Sequence, residues 1–166
     1  MSKAFTKDDD GSEAPVVLPR RAPLPAGTPN YVTERGLAAL TAELAAERSR
    51  RQSLLQEQAE PRSLAEQALG IAELEARLAS AVLVDKARQP RDQVRFGARV
   101  TVRSLSAGSE RRYRIVGVDE ANAALGDLAF VAPLARSLLG KRVGEAALVS
   151  SPAGEDELEV LAIDYE

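Results

Sequence analysis

The sequence predicts an α+β chain: an N-terminal antiparallel helical hairpin, a short coiled coil, followed by a small antiparallel β domain with one short helix. Three observations predict it. Leucines recur near heptad spacing between Leu37 and Leu78 and are interrupted at Pro61. From Val94 onward the apolar period drops to two, the period of a half-buried strand. Between Pro133 and Gly140 a brief apolar run has Pro in its first turn and Gly just past its end, the punctuation of a short helix.

Composition sets the outer bounds. The 166 residues leave room for one or two small domains. Hydrophobic residues make up 45% and charged residues 28%, an ordinary globular balance. Aromatics are only 4% and Trp is absent, so the cores must be built mainly from Leu, Ala and Val. A net charge of -3 and an isoelectric point near 5.2 argue against a chain that binds polyanions over its whole surface. Cys and His are both absent. That excludes disulfides, thiol catalysis and a Ser-His-Asp triad within the chain, and removes the usual donors of a structural zinc site. No catalytic residue, metal or cofactor is expected. No apolar run approaches the roughly 18–20 residues that span a bilayer, and Met1 to Glu13 lack the apolar stretch of a secretory signal. A cytoplasmic location without membrane association is the expectation.

Residues 1–30 are polar and then Pro-rich, with Pro15, Pro19, Pro23, Pro25 and Pro29 at short spacing. Proline removes a backbone donor and holds its predecessor extended, so this stretch is expected to be a disordered or extended leader. The hairpin is expected over residues 31–84. Thr33 is a good N-cap with Glu34 at the positive end of the helix dipole, and an amphipathic helix should run from about Glu34 to Ala59. Glu47 and Arg51 break its apolar seam. After Pro61, Ser63 and Glu66 form a capping-box pattern, and Leu64, Ile71, Leu74, Leu78 and Ala81 mark a second helix ending near Val82. The short connection forces the two helices antiparallel. Folding back at Pro61 places Glu47 and Arg51 near the level of Leu74 and Ile71, with Arg51 able to pair with Glu75.

Residues 85–93 read as a polar linker, and residues 94–166 as the β domain. Val100 and Val102 belong to one strand, and Tyr113, Ile115 and Val116 to a second, with a turn at Gly108. Gly117 to Glu120 lead into a loop. Leu128 to Val131 suggest a third strand, Pro133 to Leu139 the short helix, and Glu145 to Ser150 and Glu157 to Asp164 two closing strands joined at Pro152 to Gly154.

Four blocks of this chain resemble the Gre transcription elongation factors of bacteria. They are Tyr31-Val32-Thr33-Glu34-Arg35-Gly36-Leu37, the run Val94 to Val102, the run Tyr113 to Glu120, and Pro133 to Lys141 followed by Val143-Gly144 and the Pro152 to Glu155 turn. They occur in the family's order at nearly its spacing, over about Asn30 to Glu166. The resemblance implies a coiled-coil hairpin joined to a C-terminal domain of FKBP-like topology. It further implies that the C-terminal domain docks on RNA polymerase while the hairpin enters the polymerase's secondary channel, so nucleic acid is met only through the polymerase complex. In the family, acidic tip residues help the polymerase hold a second magnesium ion for cleavage of backtracked transcript, chemistry that suits carboxylate oxygens.

This chain departs from that pattern in two places. The family tip carries a Gly-Asp-Leu-x-Glu-Asn type run, whereas the apex here reads Glu57-Gln58-Ala59-Glu60-Pro61-Arg62. The arms also read as shorter by about two turns, withdrawing the tip by about 10 Å at the α-helical pitch. The acidic residue and Ser that typically precede the short helix are Val131 and Ala132 here, before Pro133. Candidate polymerase-docking residues are Phe130, Val131, Ala132, Pro133 and Arg136; candidate tip residues are Glu57, Glu60 and Arg62. Arg48, Arg50 and Arg51, with Arg35 below them, make one arm basic, either as a solvated face or as a surface steered toward an acidic channel mouth. The leading expectation is a non-enzymatic, monomeric regulator of elongation that binds the polymerase without strongly stimulating cleavage. The alternative is a working cleavage factor that uses Glu57 and Glu60. A remote alternative is a prolyl isomerase, suggested by topology alone.

Overall fold

The computed structural model describes residues 21, 23–151 and 154–165. Most of the expected leader therefore lies outside the described residues. Asn30, assigned to that leader, instead opens strand β1 (Asn30–Val32). Its buried amide donates to the Arg77 carbonyl at 2.8 Å and to Ser80 Oγ at 3.1 Å, tying the chain to the far end of the second helix.

Helix α1 spans Glu34–Gln56 and α2 spans Pro61–Ala79. Thr33 caps α1 as its sequence predicts: the Gly36 amide donates to Thr33 Oγ1 at 3.0 Å. α1 stops three residues short of Ala59 because the chain turns left-handed at Gln58, φ 53°. There the Ala59 amide donates to the Leu54 carbonyl at 2.9 Å and the Gln58 amide to the Leu55 carbonyl at 3.3 Å. These two bonds form a Schellman closure, with Gln in the position that usually holds Gly. The reversal therefore comes earlier than Pro61, which shifts the register. Glu47 meets Gln67, whose amide donates to the Glu47 carbonyl at 3.2 Å and also to its carboxylate. Arg48, not Arg51, takes Glu75, at 2.7 Å.

The second helix ends before Val82, which lies in strand β2 (Ala81–Leu83). β2 pairs parallel with β1 through Asn30↔Ala81, Tyr31↔Val82 and Val32↔Leu83. The hairpin core sits at this base, where Val32, Leu40 and Leu74 are buried against Leu37, Leu44, Leu78 and Ala81. The interval expected as a plain linker holds a 3-10 turn at Lys86–Arg88 capped by Asp85.

The C-terminal sheet contains β3 (Arg99–Ser104), β4 (Glu110–Val116), β5 (Asp127–Ala129), β6 (Ala146–Ser151) and β7 (Gly154–Asp164), with helix α3 at Pro133–Leu138. Strand order is β5-β4-β3-β7-β6. All neighbours are antiparallel except β4 and β5, which run parallel. Inward residues alternate as the period-two pattern requires: Val100 and Val102 on β3, Ile115 on β4, Leu158 and Val160 on β7, closed by Ala135 and Leu138 of α3. A hairpin of helices followed by a curled, mostly antiparallel sheet with one short helix is the architecture the sequence predicts.

Candidate functional site

Three regions bear on function: the apex of the hairpin, the loop leading into α3, and the joint between hairpin and sheet. At the apex, Glu57 is the C-cap of α1 and Glu60 the N-cap of α2, and both are exposed. Arg62 stands one residue inside α2, exposed and paired with Glu66 one turn on, at 3.1 Å. Such an exposed pair contributes only a few tenths of a kcal/mol. Among the described residues no group of three or more carboxylates is arranged to hold a metal ion.

The loop before α3 divides its residues between packing and surface. Ala132 is the N-cap of α3 and donates its amide to the Ala129 carbonyl at 2.8 Å. Pro133 opens the helix and is exposed, as is Arg136. Val131 is half-buried. Phe130 points elsewhere: its ring lies 5.4 Å from Tyr31 and 5.7 Å from Phe96, centroid to centroid. With Tyr31 and Phe96 also 5.7 Å apart, the three rings form a closed cluster between the hairpin base and the sheet. Each such pair adds about 0.5–1.5 kcal/mol beyond its buried area. Phe130 thus packs at the joint while staying partly exposed, as Val131 and Ala132 do, and Pro133 and Arg136 are the most exposed of the docking candidates.

The joint is also ionic, and sequence reading missed it. Asp119 and Glu120, expected merely to lead into a loop, lie in a 3-10 turn after β4 with side chains only 8% and 6% exposed. The Glu120 carboxylate accepts from the Thr33 amide at 3.1 Å, the Gly117 amide at 3.2 Å and the Thr33 hydroxyl. It therefore caps the start of α1 from the other domain, where the helix dipole favours a negative charge. Asp127, 2% exposed, receives Arg35 of α1 at 2.8 Å and Arg114 of β4 at 2.9 Å. Asp119 receives Arg21 at 2.9 Å; Arg77 Nε of α2 stands 3.2 Å from its other oxygen, an ion pair without hydrogen-bond geometry. Close backbone approach completes the joint: a Cβ on Gly117 would lie 2.6 Å from the Tyr31 carbonyl oxygen. The only advance signal was the Asp-Glu pair close after a Gly; its partners on the hairpin side, Arg77, Thr33 and Arg21, lie between 42 and 98 residues away.

Between α3 and the sheet a cleft of about 290 Å³ is floored by Val102, Tyr113, Leu134, Val149 and Leu158, with Arg111 and Asp156 on its rim. Tyr113 is its one aromatic. Phe96 and Phe130 are committed to the joint, and Tyr165 donates its hydroxyl to the Gln93 carbonyl at 2.6 Å. No helix among the described residues is long and apolar enough to cross a membrane.

Residues 89–165 match the family described as transcription elongation factor GreA/GreB, C-terminal. Transcription elongation factor GreA of Legionella pneumophila strain Corby is 40% identical over 96 residues, covering 57% of this chain and 60% of that protein. The GreA of Hyphomonas neptunium is 40% identical over 95 residues, with the same coverage of each chain. The match thus spans about 60% of the length of these curated relatives. Among solved structures, the GreA factor homolog 1 protein of Thermus thermophilus is 23% identical, covering 82% of this chain and 99% of its own, with a TM-score of 0.40. GreA/GreB from Nitrosomonas europaea is 21% identical, covering 81% and 98%, with a TM-score of 0.43.

Proposed function

Since this chain belongs to the Gre family of transcription elongation factors through its C-terminal domain, we propose that it docks on RNA polymerase at the secondary channel and regulates elongation mainly by occupancy. The observation that carries this reading is the joint. Asp119, Glu120 and Asp127 hold the base of the hairpin to the domain that matches the family, so docking of that domain delivers the apex to a defined place. Pro133 and Arg136 present the most exposed part of the docking loop, and Arg136 supplies a cation for an acidic partner surface. At the apex the carboxylates are Glu57 and Glu60, separated by Gln58 and Ala59. Two glutamates at a helix end and a helix start lack the acidic run expected for positioning a second magnesium ion. In this proposal the chain acts as a cytoplasmic monomer, is not itself an enzyme and meets nucleic acid only within the polymerase complex.

Co-purification with core RNA polymerase tests the docking, compared with a variant lacking residues 52–66; both should be retained if the C-terminal domain supplies the main contact. Loss of retention by the full-length chain would overturn it. A second reading, cleavage stimulation, draws on the exposure of both Glu57 and Glu60 at the apex. Transcript cleavage in stalled complexes separates the two: strong stimulation abolished by Glu60→Ala would establish the second reading.

A further inference from the structure

We propose that Arg21, which precedes the first strand, is a clasp that sets the direction of the hairpin relative to the C-terminal domain. One guanidinium nitrogen, Nη1, donates to Asp119 Oδ1 at 2.9 Å, and Nη2 donates to the Glu43 carboxylate. Glu43 belongs to α1 and Asp119 to the turn after β4, 76 positions further along the chain as counted from 43 to 119. A single planar fork therefore bridges two bodies that the sequence connects only through α2 and the linker. Arginine suits this role because its donors diverge in fixed directions and its charge is permanent. Burial works against that charge, but the hydrogen bonds it donates to Glu43 and Asp119, with their negative charges, outweigh it and hold the Arg21 pKa above its ordinary value.

The contact matters because Arg21 is the hydrogen-bonded cation of Asp119, whose second cation, Arg77, forms an ion pair alone. The Asp119 carboxylate is 8% exposed, and its other oxygen faces Arg77 without a hydrogen bond. Without Arg21 the Asp119 carboxylate keeps the Arg77 charge beside it but loses its hydrogen-bonded cation, a loss that favours movement of its turn toward water or toward another donor. Glu43 is about half exposed and loses little when released. The clasp thus acts asymmetrically: it satisfies the domain's buried acid and uses α1 as its anchor. Loss of Arg21 should widen the range of hairpin directions, within what the Glu120, Asp127 and aromatic contacts still permit, while leaving each body folded. The inference concerns the free protein and does not depend on polymerase binding.

The chain has no Cys, so spin labels can be placed at will. Labels on Gln56→Cys near the apex and Leu148→Cys on β6, both exposed, read the hairpin direction by electron–electron distance measurement. The parent should give one narrow distribution. Arg21→Ala should broaden it or add a second maximum; Glu43→Gln, which releases only the α1 end of the clasp, should do so to a smaller extent; and the two together should do no more than Arg21→Ala alone, because the Glu43 contact runs through Arg21. Arg62→Ala, which removes a pair internal to α2, should leave it unchanged. A distribution in Arg21→Ala superimposable on the parent, or a broadening that Arg62→Ala matches, would overturn the proposal. Should Arg21→Ala unfold the hairpin by circular dichroism, Glu43→Gln reads the same contact from an exposed side chain.

Discussion

Gln58 holds φ at 53° at the apex of the hairpin, a left-handed conformation that costs a side-chain-bearing residue about 1–2 kcal/mol. Glycine takes that conformation without strain but loses more entropy on folding. The balance favours glycine, so Gln58→Gly should stabilise the protein by about 0.5–1 kcal/mol in urea unfolding, with no change in slope. A loss of stability would mean that the Gln58 side chain holds the turn. Tyr165 is the second informative residue. Burial raises its pKa, opposed by the Arg95 amide, which donates to the phenolic oxygen at 3.0 Å. A raised folded pKa means that the phenol remains protonated in the fold at a pH where the unfolded chain ionises. Its contribution is therefore whole below the ordinary tyrosine value of about 10 and declines as pH rises through the folded value. Tyr165→Phe should cost about 1 kcal/mol at neutral pH through loss of the bond to Gln93, and its stability should fall less steeply above about pH 10. Denaturant titrations at neutral and alkaline pH read both effects.

At the scale of elements, the start of α1 shows how a local rule is overridden. Gly36 sits inside the first turn of the helix, where alanine would ordinarily gain about 1 kcal/mol. Here a Cβ would lie 2.2 Å from the Glu120 carboxyl carbon. That side chain is flexible in itself but is held by the Thr33 amide, the Thr33 hydroxyl and the Gly117 amide. Making room means giving up those bonds, so Gly36→Ala should destabilise by about 2 kcal/mol despite its better helix propensity. A thermal melt showing stabilisation would refute this. The same place marks what the sequence could and could not reveal. Thr33, the leucine spacing and Pro61 announced the helices because capping and periodicity are local. Val100, Val102 and Ile115 announced strands for the same reason. The three-residue pair β1 and β2 carries too few residues for a period, and its partners lie 51 positions apart. The apex was legible within Glu57 to Arg62, but Gln58 hid the end of α1, read as reaching about Ala59, because the position usually marked by Gly is filled by a residue with no turn signature. Asp119, Glu120 and Asp127 were invisible as a group, since only the fold brings their arginines to them. Phe130 was legible as apolar but not as a joint residue, because Tyr31 and Phe96 reach it from different parts of the chain.

At the scale of the molecule, the joint decides whether hairpin and sheet behave as one body. Its apolar part includes the Tyr31, Phe96 and Phe130 cluster, and the buried carboxylates add charged links across it. Asp127 is the most enclosed of them and receives one arginine from each side, Arg35 from the hairpin and Arg114 from the sheet. Asp127→Asn keeps the shape and can still accept one hydrogen bond, but it removes the charge both guanidinium groups face. Arg35 is half exposed and Arg114 about one-third exposed, so both can recover water, and the cost should be about 2 kcal/mol, below that of fully enclosed pairs. Where that cost falls is the test. The hairpin core is small, centred on Val32, Leu40 and Leu74, whereas the sheet is closed by α3 over Val100, Val102, Ile115 and Val160. The weaker body should open first once the joint is loosened. In native-state hydrogen exchange, amides of α1 and α2 in Asp127→Asn should exchange roughly 30-fold faster, the factor equivalent to about 2 kcal/mol, while those of β3 and β7 stay near their original rates. An equal acceleration in both would show that the two bodies unfold as a single unit and that Asp127 stabilises the whole rather than the coupling. If the hairpin alone responds, then its direction and its stability are both set from the sheet, as a prong presented by a docked domain requires.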